Sequence, residues 1–438
     1  MEAQSFQMPL YLPAQGAVET EATIIQWQVA EGDTFEKGQV LAQIDSVKSV
    51  FDFQAPCTGK ILRILHLEGE TVTFSDPVLE IETCDPQMRD WIPPAASAPA
   101  KRQEVMPTRA AASAEHAGGA IILGFGGYLP DRVVTNAELV REFSDISAEY
   151  VYQVTGIRQR RWAAEGEKPS DMAYAAALEA IRKSNIAIKD IDAVILSTTT
   201  PDVAMPATAC ILQERLCLGT IPAFDLNAAC SGWLYAVGMA QGMILSGMAR
   251  NVLTVGVDMQ SRLVDRSDRS TCFLFGDGAG AAIVSAGTKG HRIRRVILGS
   301  DVKGIHMARR LEPGYFVANG CGGIDPWIRL DGPALFRMAA ESFNAVVREA
   351  IEKAGWRPED TRWVIPHQAN ARILKAAAKR SGVPFDRFYL NVERVGNTSS
   401  ASIPLALTEV EEGLKPGDKL ILCAVGAGIT MAAVAVEW

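Results

Sequence analysis

The sequence predicts an α/β protein in which a layered domain of two similar halves follows a small all-β unit. Three observations lead there. From Ala120 onward, near-continuous apolar strands alternate with helical patterns, which implies a sheet covered on both faces. The same alternation starts again in the last third of the chain. Ahead of it, residues 8–83 carry only short β runs between turn signals, and the stretch that follows loses all period. The boundaries read as 1–84 for the β unit, 85–118 for a linker, 119–290 for the first half and 291–438 for the second.

The bulk numbers exclude several classes. The 438 residues leave room for two or three domains. A net charge of −8 argues against nucleic acid as a partner. The eight cysteines form no CxxC and no paired spacing, so neither a disulfide framework nor a metal site is expected. The start, MEAQSFQMPL, lacks the basic region of a signal peptide. The most apolar helical run is interrupted by glycines and Gln241, so it reads as a core helix and no membrane association is expected. A reducing cytoplasm is the expected compartment.

The first unit runs ATIIQWQV, EGDTFEKGQ, VLAQI, DSVKSVFDFQAP, CTGKILRIL, HLEGETV and PVLEIE. Two glycine turns, Gly32-Asp33 and Gly69-Glu70, lie on either side of Lys48 and suggest an internal two-fold repeat. Lys48 sits in DSVKS, a polar interval between two apolar strands, where a hairpin would expose its amine. This unit resembles a lipoyl or biotinyl carrier domain, a flattened barrel. Its start is similar to the lipoyl domains of 2-oxo-acid dehydrogenase acyltransferases, and DSVKS to the modified hairpin of the glycine-cleavage H protein. The methionines that flank the lysine in biotin carriers are absent, which favours lipoyl. The resemblance implies a lipoyl group on Lys48 as the cofactor.

Residues 85–118 are rich in Ala, Pro and Ser. As a flexible coil, 34 residues span roughly 30 Å, and proline stiffens them further. A tether of that reach gives an effective concentration on the order of millimolar.

In the α/β region, AIILGFGGYL is read as a strand and turn, SDMAYAAALEAIRKSN as a helix, AVILSTTT as a buried strand and ATACILQERLCLG as a helix. NVLTVGVDM is a further buried strand, and FLFGDGAGAAIVSA reads as two strands about a Gly-Asp turn. The second half gives a long helix over 333–354, strand RWVIP, a helix over 369–381, a helix after Asn397 and two closing strands.

Cys230 is the centre of this region. AFDL reads as a strand, NAAC as a polar turn, and an apolar helix starts near the cysteine. A thiol at a helix N-terminus feels the positive end of the macrodipole, so a lowered thiol pKa is expected. Taken alone, Cys230 would be a small core cysteine, His367 a satisfied core histidine and Asn397 a helix cap. Yet each falls at a strand-to-helix junction, where sites of α/β sheets collect.

NAACSGW, FGDGAGA, PHQAN and GNTSSAS, in that order, resemble the active-site blocks of 3-oxoacyl-[acyl-carrier-protein] synthase III, a condensing enzyme of thiolase-like αβαβα fold. GYLPDRVVTNAEL and TGIRQR extend the likeness from about residue 120 to the C-terminus. The resemblance implies that Cys230 takes an acyl group from a thioester, that His367 and Asn397 stabilise the enolate left by decarboxylation of a malonyl thioester, and that the backbone at Cys230 and Ala427 holds the oxyanion. It also implies coenzyme A or phosphopantetheine thioesters as substrates, acyl-CoA or an acyl carrier protein as partner, and a homodimer. Arg269, Arg372, Asn370, Gly332 and Tyr150 match positions that contact coenzyme A or the carrier protein. Arg372, Lys375 and Lys379 share one helix face, which would steer an acidic carrier.

The expected function is decarboxylative condensation, primed from a lipoyl arm on Lys48. At this point three others stay open: a coenzyme A-primed enzyme with an idle carrier unit, an acyltransferase to a secondary-metabolite acceptor, and a non-catalytic scaffold that binds partners.

Overall fold

The structure is a computed structural model that describes residues 5–13, 21–46, 50–74, 76–89, 119–310 and 325–438. Two compact units divide between Met106 and Pro107.

Among the described residues the first unit holds eight strands: β1 (Phe6–Tyr11), β2 (Glu21–Trp27), β3 (Thr34–Phe35), β4 (Val40–Ser46), β5 (Val50–Gln54), β6 (Gly59–Ile64), β7 (Thr71–Thr73) and β8 (Pro77–Thr83). They form two antiparallel sheets, ordered β1-β8-β6-β3 and β5-β4-β2-β7. Alternate residues such as Leu41, Ile61, Leu79 and Ile81 meet in a shared core. The two-fold repeat shows in the hydrogen bonds. Glu31 accepts from the Ile64 amide and Glu68 from the Trp27 amide, both at 2.9 Å. Gly32 and Gly69, at φ of +94° and +85°, donate to the Ile61 and Ile24 carbonyls at 2.8 and 2.7 Å. Strands β4 and β5 pair as far as Asp45 opposite Val50. Lys48 lies outside the described residues.

The second unit is built on β9 (Ala120–Tyr128), β10 (Arg132–Thr135), β11 (Gln159–Trp162), β12 (Ala193–Ser197), β13 (Ala223–Leu226), β14 (Asn251–Met259), β15 (Asp277–Ala286), β16 (His291–Ser300), β17 (Ala308–Arg309), β18 (Arg329–Leu330), β19 (Thr361–Pro366), β20 (Lys419–Gly426) and β21 (Thr430–Glu437). Nine of these form a mixed sheet ordered β13-β12-β14-β15-β9-β16-β21-β20-β19. Within the sheet, the halves join at two residue pairs between β9 and β16.

Each half repeats one plan. β12 lies parallel to β14, which is antiparallel to β15; β19 lies parallel to β20, which is antiparallel to β21. Helices Gly232–Leu245 and Ser402–Val410 pack in one core with strands of both halves, so they form the middle layer. Helix Pro169–Ser184 covers the outer face of the first half. Helices Gly332–Lys353 and Ala371–Ser381 cover that of the second. The result is the layered αβαβα arrangement.

One reading is corrected. FLFGDGAGAAIVSA is not a strand pair, because the strand begins only at Asp277 and Phe275 makes an isolated bridge to Asn397. The Asp277 carboxylate accepts from the Ala163 and Ser261 amides at 2.8 Å and anchors the strand start. Gly280 serves close packing rather than turning, since a Cβ there would press on Pro404 of the middle helix.

Candidate active site

Two matched elbows carry the chemistry. After β13, the Asn227 carboxamide oxygen accepts from the Ala229 amide at 3.1 Å. Ala229 adopts φ +47° and opens a short 3-10 turn, Ala229–Ser231, that runs into helix Gly232–Leu245. Cys230 sits in the middle of that turn. A side chain at Gly232 would collide with Ser197 Oγ, so the helix can start there only with glycine. In the second half the Asn397 oxygen accepts from the Ser399 amide at 2.9 Å, and Ser399 adopts φ +51°. The turn Ser399–Ala401 then enters helix Ser402–Val410. His367 follows β19, with its amide donating to the Cys423 carbonyl at 2.7 Å.

Cys230, His367 and Asn397 line one cavity of about 1250 Å³. The Ser399 hydroxyl donates to Cys230 Sγ at 3.5 Å. Gly426, Ala427 and Gly428 form the adjoining wall. The Gly426 backbone runs so near that a Cβ would lie 2.9 Å from the Cys230 nitrogen.

Tyr150, Arg269, Asn370 and Gly332 also line the cavity, whereas Arg372 does not. Arg269 gives its two terminal nitrogens to Asp145 at 2.7 and 2.8 Å. Asn370 caps its helix by accepting from the Arg372 amide at 2.8 Å, and its Nδ2 donates to the Val154 carbonyl at 3.4 Å.

Burial governs the electrostatics. It pushes the Cys230 thiol up to about 12, with the Ser399 hydroxyl opposing and the Asp258 carboxylate adding to the rise. The expected lowering by the helix dipole is therefore overturned, because loss of water around the sulfur outweighs a partial charge. Burial lowers His367 to about 3, against a smaller opposing pull from the Ser399 backbone. The ring is neutral. Its Nδ1 lies 2.7 Å from Ser402 Oγ, and Ser402 lies 2.8 Å from the Ser399 carbonyl. When Ser402 gives its proton to that carbonyl, it must accept from Nδ1–H, which leaves Nε2 as a base. When it turns the proton to Nδ1, Nε2 carries the hydrogen and donates.

Sequence reading missed Ser399, Ser402 and Asp258. Asp258 is fully buried. Its Oδ1 accepts from the Thr199 amide and hydroxyl at 2.7 Å, and its Oδ2 from the Ser400 amide and hydroxyl at 3.0 and 2.7 Å. It thus ties the two halves together behind the nucleophile. A lone acidic residue in the apolar run NVLTVGVDM was the available signal.

Comparison with known proteins decides the family. Residues 224–302 match 3-oxoacyl-[acyl-carrier-protein] synthase III and residues 351–438 its C-terminal region. The beta-ketoacyl-[acyl-carrier-protein] synthase III of Aquifex aeolicus is 42% identical over 326 residues, which is 73% of this chain and all of that protein. The chain belongs to the 3-oxoacyl-[acyl-carrier-protein] synthase III family. The synthase of that name from Rhodobacter capsulatus is 41% identical over 73% of this chain and 99% of its own. The crystal structure of the Aquifex aeolicus synthase III superposes with a TM-score of 0.68, at 40% identity over 73% of this chain and all of the other. The Pseudomonas aeruginosa synthase III gives a TM-score of 0.68 at 37% identity, over 73% of this chain and 98% of the other. Residues 9–81 match a family described as biotin-requiring enzyme, as expected for a carrier-like unit ahead of a synthase III body. The condensing acyltransferase read from the four sequence blocks agrees with these names.

Proposed function

We propose that the chain joins an acyl group held on Cys230 to the carbon exposed when a malonyl thioester loses CO₂, with coenzyme A or carrier-protein thioesters as substrates. The observation that carries this reading is the single cavity shared by Cys230, a neutral His367 and Asn397. In the first stage His367 Nε2 takes the Cys230 proton, and the sulfur attacks the acyl thioester carbonyl. The departing thiol receives that proton. In the second stage the malonyl carboxylate leaves as CO₂. The enolate oxygen accepts from His367 Nε2–H and from Asn397 Nδ2, which is available because Asn397 Oδ1 already serves Ser399. Each such donor is worth about 3 kcal/mol. The enolate carbon attacks the acyl carbonyl, whose oxygen meets the backbone at Cys230 and Ala427. Cys230 is released as thiolate and takes one proton from solvent, which the overall condensation consumes. Asparagine suits this chemistry, since decarboxylation supplies the carbanion and no base is needed.

Tyr150, Arg269, Asn370 and Gly332 line the route for the pantetheine arm. Arg372, outside the cavity, is left to meet an acidic carrier protein at the surface.

The test is intact mass after mixing with an acyl thioester. Cys230 should gain the acyl mass, and malonyl thioester should then release CO₂ and a 3-oxoacyl product. A Cys230→Ser protein that behaves like the parent would leave the scaffold reading standing. Acyl transfer without CO₂ would favour a different acceptor.

The finer proposal is that Lys48, which follows β4 and precedes β5 in the sequence, carries a lipoyl group and serves Cys230 as an acyl source. Such a group is an amide on the lysine and supplies a dithiol able to hold an acyl thioester. Support comes from the match of residues 9–81 and from the 34-residue tether. Protein made in a lipoylating host should show the added mass on Lys48, and Lys48→Ala should slow turnover. A homodimer is supported by β13, an edge strand of the sheet on which Phe224 is exposed, and by the 86% exposure of Met205. Light scattering at the mass of two chains checks it. No helix among the described residues is long and apolar enough to cross a membrane.

A further inference from the structure

A polar side chain is built into the wall of the cavity next to the elbows. Gln260 is 3% exposed, lines the cavity, and opens the 3-10 turn Gln260–Leu263 that follows β14. The Gln260 amide shares that lining with the apolar Leu263 and Phe275 and with the polar Thr198 and Thr199.

The orientation of that amide follows from its neighbours. Asp258 accepts a backbone N–H on each oxygen, Thr199 on one and Ser400 on the other, and acts as a carboxylate. The Thr199 hydroxyl gives its one proton to Asp258 Oδ1 at 2.7 Å. Thr199 can therefore only accept from Gln260, and it does so from Nε2 at 2.8 Å. Nε2 is committed to Thr199, and Oε1 is left buried with no protein donor. A buried acceptor without a donor is costly to the fold, and native proteins keep few of them.

We propose that Gln260 selects an acyl group bearing a hydrogen-bond donor, a hydroxyl or an amide N–H, by accepting that hydrogen at Oε1. The inference rests on Cys230 being the acyl-carrying residue. A donor-bearing chain satisfies Oε1; a plain alkyl chain seals it off. A site built to hydrogen-bond a substrate group rejects the analogue that lacks it. Gln260 is thus a specificity-determining residue, and the chain Gln260–Thr199–Asp258–Ser400 connects it to the elbow that faces Cys230.

The experiment uses the full-length protein and reads Cys230 acylation by mass. Matched coenzyme A thioesters are compared: unsubstituted, hydroxylated at successive carbons, and acylamino-substituted chains of equal length. The parent should acylate at least one donor-bearing chain about 10-fold faster than its unsubstituted match. The position preferred reports the reach of Oε1, and the better of the hydroxyl and acylamino arms identifies the donor. Gln260→Leu and Gln260→Met should abolish the preference and raise acylation by unsubstituted chains, with thermal stability kept or increased. Equal acylation by all chains in the parent, or an unchanged preference in both variants, overturns the proposal while the Cys230 reading stands. No adduct from any thioester overturns both.

Discussion

Ala229 and Ser399 hold the same unusual backbone conformation, φ +47° and +51°, each as the first residue of the turn that opens its elbow. Left-handed backbone costs a non-glycine residue about 1–2 kcal/mol. An asparagine two positions earlier fixes the turn in both cases. The first elbow presents the sulfur of the next residue to the cavity. The second uses its own left-handed residue, because Ser399 reaches Cys230 Sγ. One local solution therefore supplies the nucleophile in one half and its hydrogen-bonding partner in the other.

The elbow tolerates little crowding. A Cβ on Gly426 would lie 2.9 Å from both the Ala228 oxygen and the Cys230 nitrogen, which are backbone atoms that cannot swing aside. Gly426→Ala should therefore fold and yet lower the rate of Cys230 acylation by 10-fold or more, read by intact mass. A variant that acylates at the parental rate would show the elbow to be soft.

Asn397 separates the two chemical stages. Asn397→Asp keeps the oxygen that holds the Ser399 amide and removes the Nδ2 donor. Loss of about 3 kcal/mol of enolate stabilisation should cut condensation by about 100-fold or more. Acylation of Cys230 should change only a few-fold. Parallel single-turnover measurements of adduct and CO₂ distinguish these outcomes.

In the free protein the sulfur should be sluggish. With the thiol pushed up to about 12, alkylation of Cys230 by iodoacetamide should rise steadily through pH 9 and 10, without the plateau of an ordinary cysteine near 8.5. Ser399→Ala removes the contact that opposes the rise and should slow alkylation further. Mass spectrometry of the peptide containing Cys230, sampled across pH, gives the curve.

Acid should weaken the fold through two buried rings. His367 is lowered to about 3 and His291 to about 4, both by burial. The folded state favours the neutral rings, so their contribution is complete above about pH 6.5. It falls as pH drops toward 4, because the unfolded chain takes up those protons first. His291 stacks on Trp438 at 3.5 Å between ring centroids, and its Nδ1 has no partner. His291→Phe should keep the stack and flatten the acid limb of stability, followed by urea midpoints from pH 7 to 4.

Much of this was legible in the residues, for physical reasons that differ by element. Strands such as Asn251–Met259 are buried on both faces and announce themselves as unbroken apolar runs. Cys230 and His367 follow strand ends, whereas Asn397, expected at another, comes after the short helix Val392–Val395 and makes only an isolated bridge to Phe275. The glycines of FGDGAGA misled, because sequence does not separate a glycine that turns the chain from one that admits a helix to the sheet. The rise of the Cys230 thiol does not follow from its turn, because burial depends on the whole fold. The Asp258 network was invisible for a related reason: Thr199, Asp258 and Ser400 are far apart in the chain and follow no period.

The Asp258 carboxylate divides its four hydrogen bonds evenly, two to Thr199 in the first half and two to Ser400 in the second. Substrate choice and turnover consequently share one fastener. Remodelling the pocket around Thr199 to admit a bulkier chain would loosen the mount of the second elbow as well. Breadth of substrate in this enzyme is to be sought instead at positions this anion does not hold.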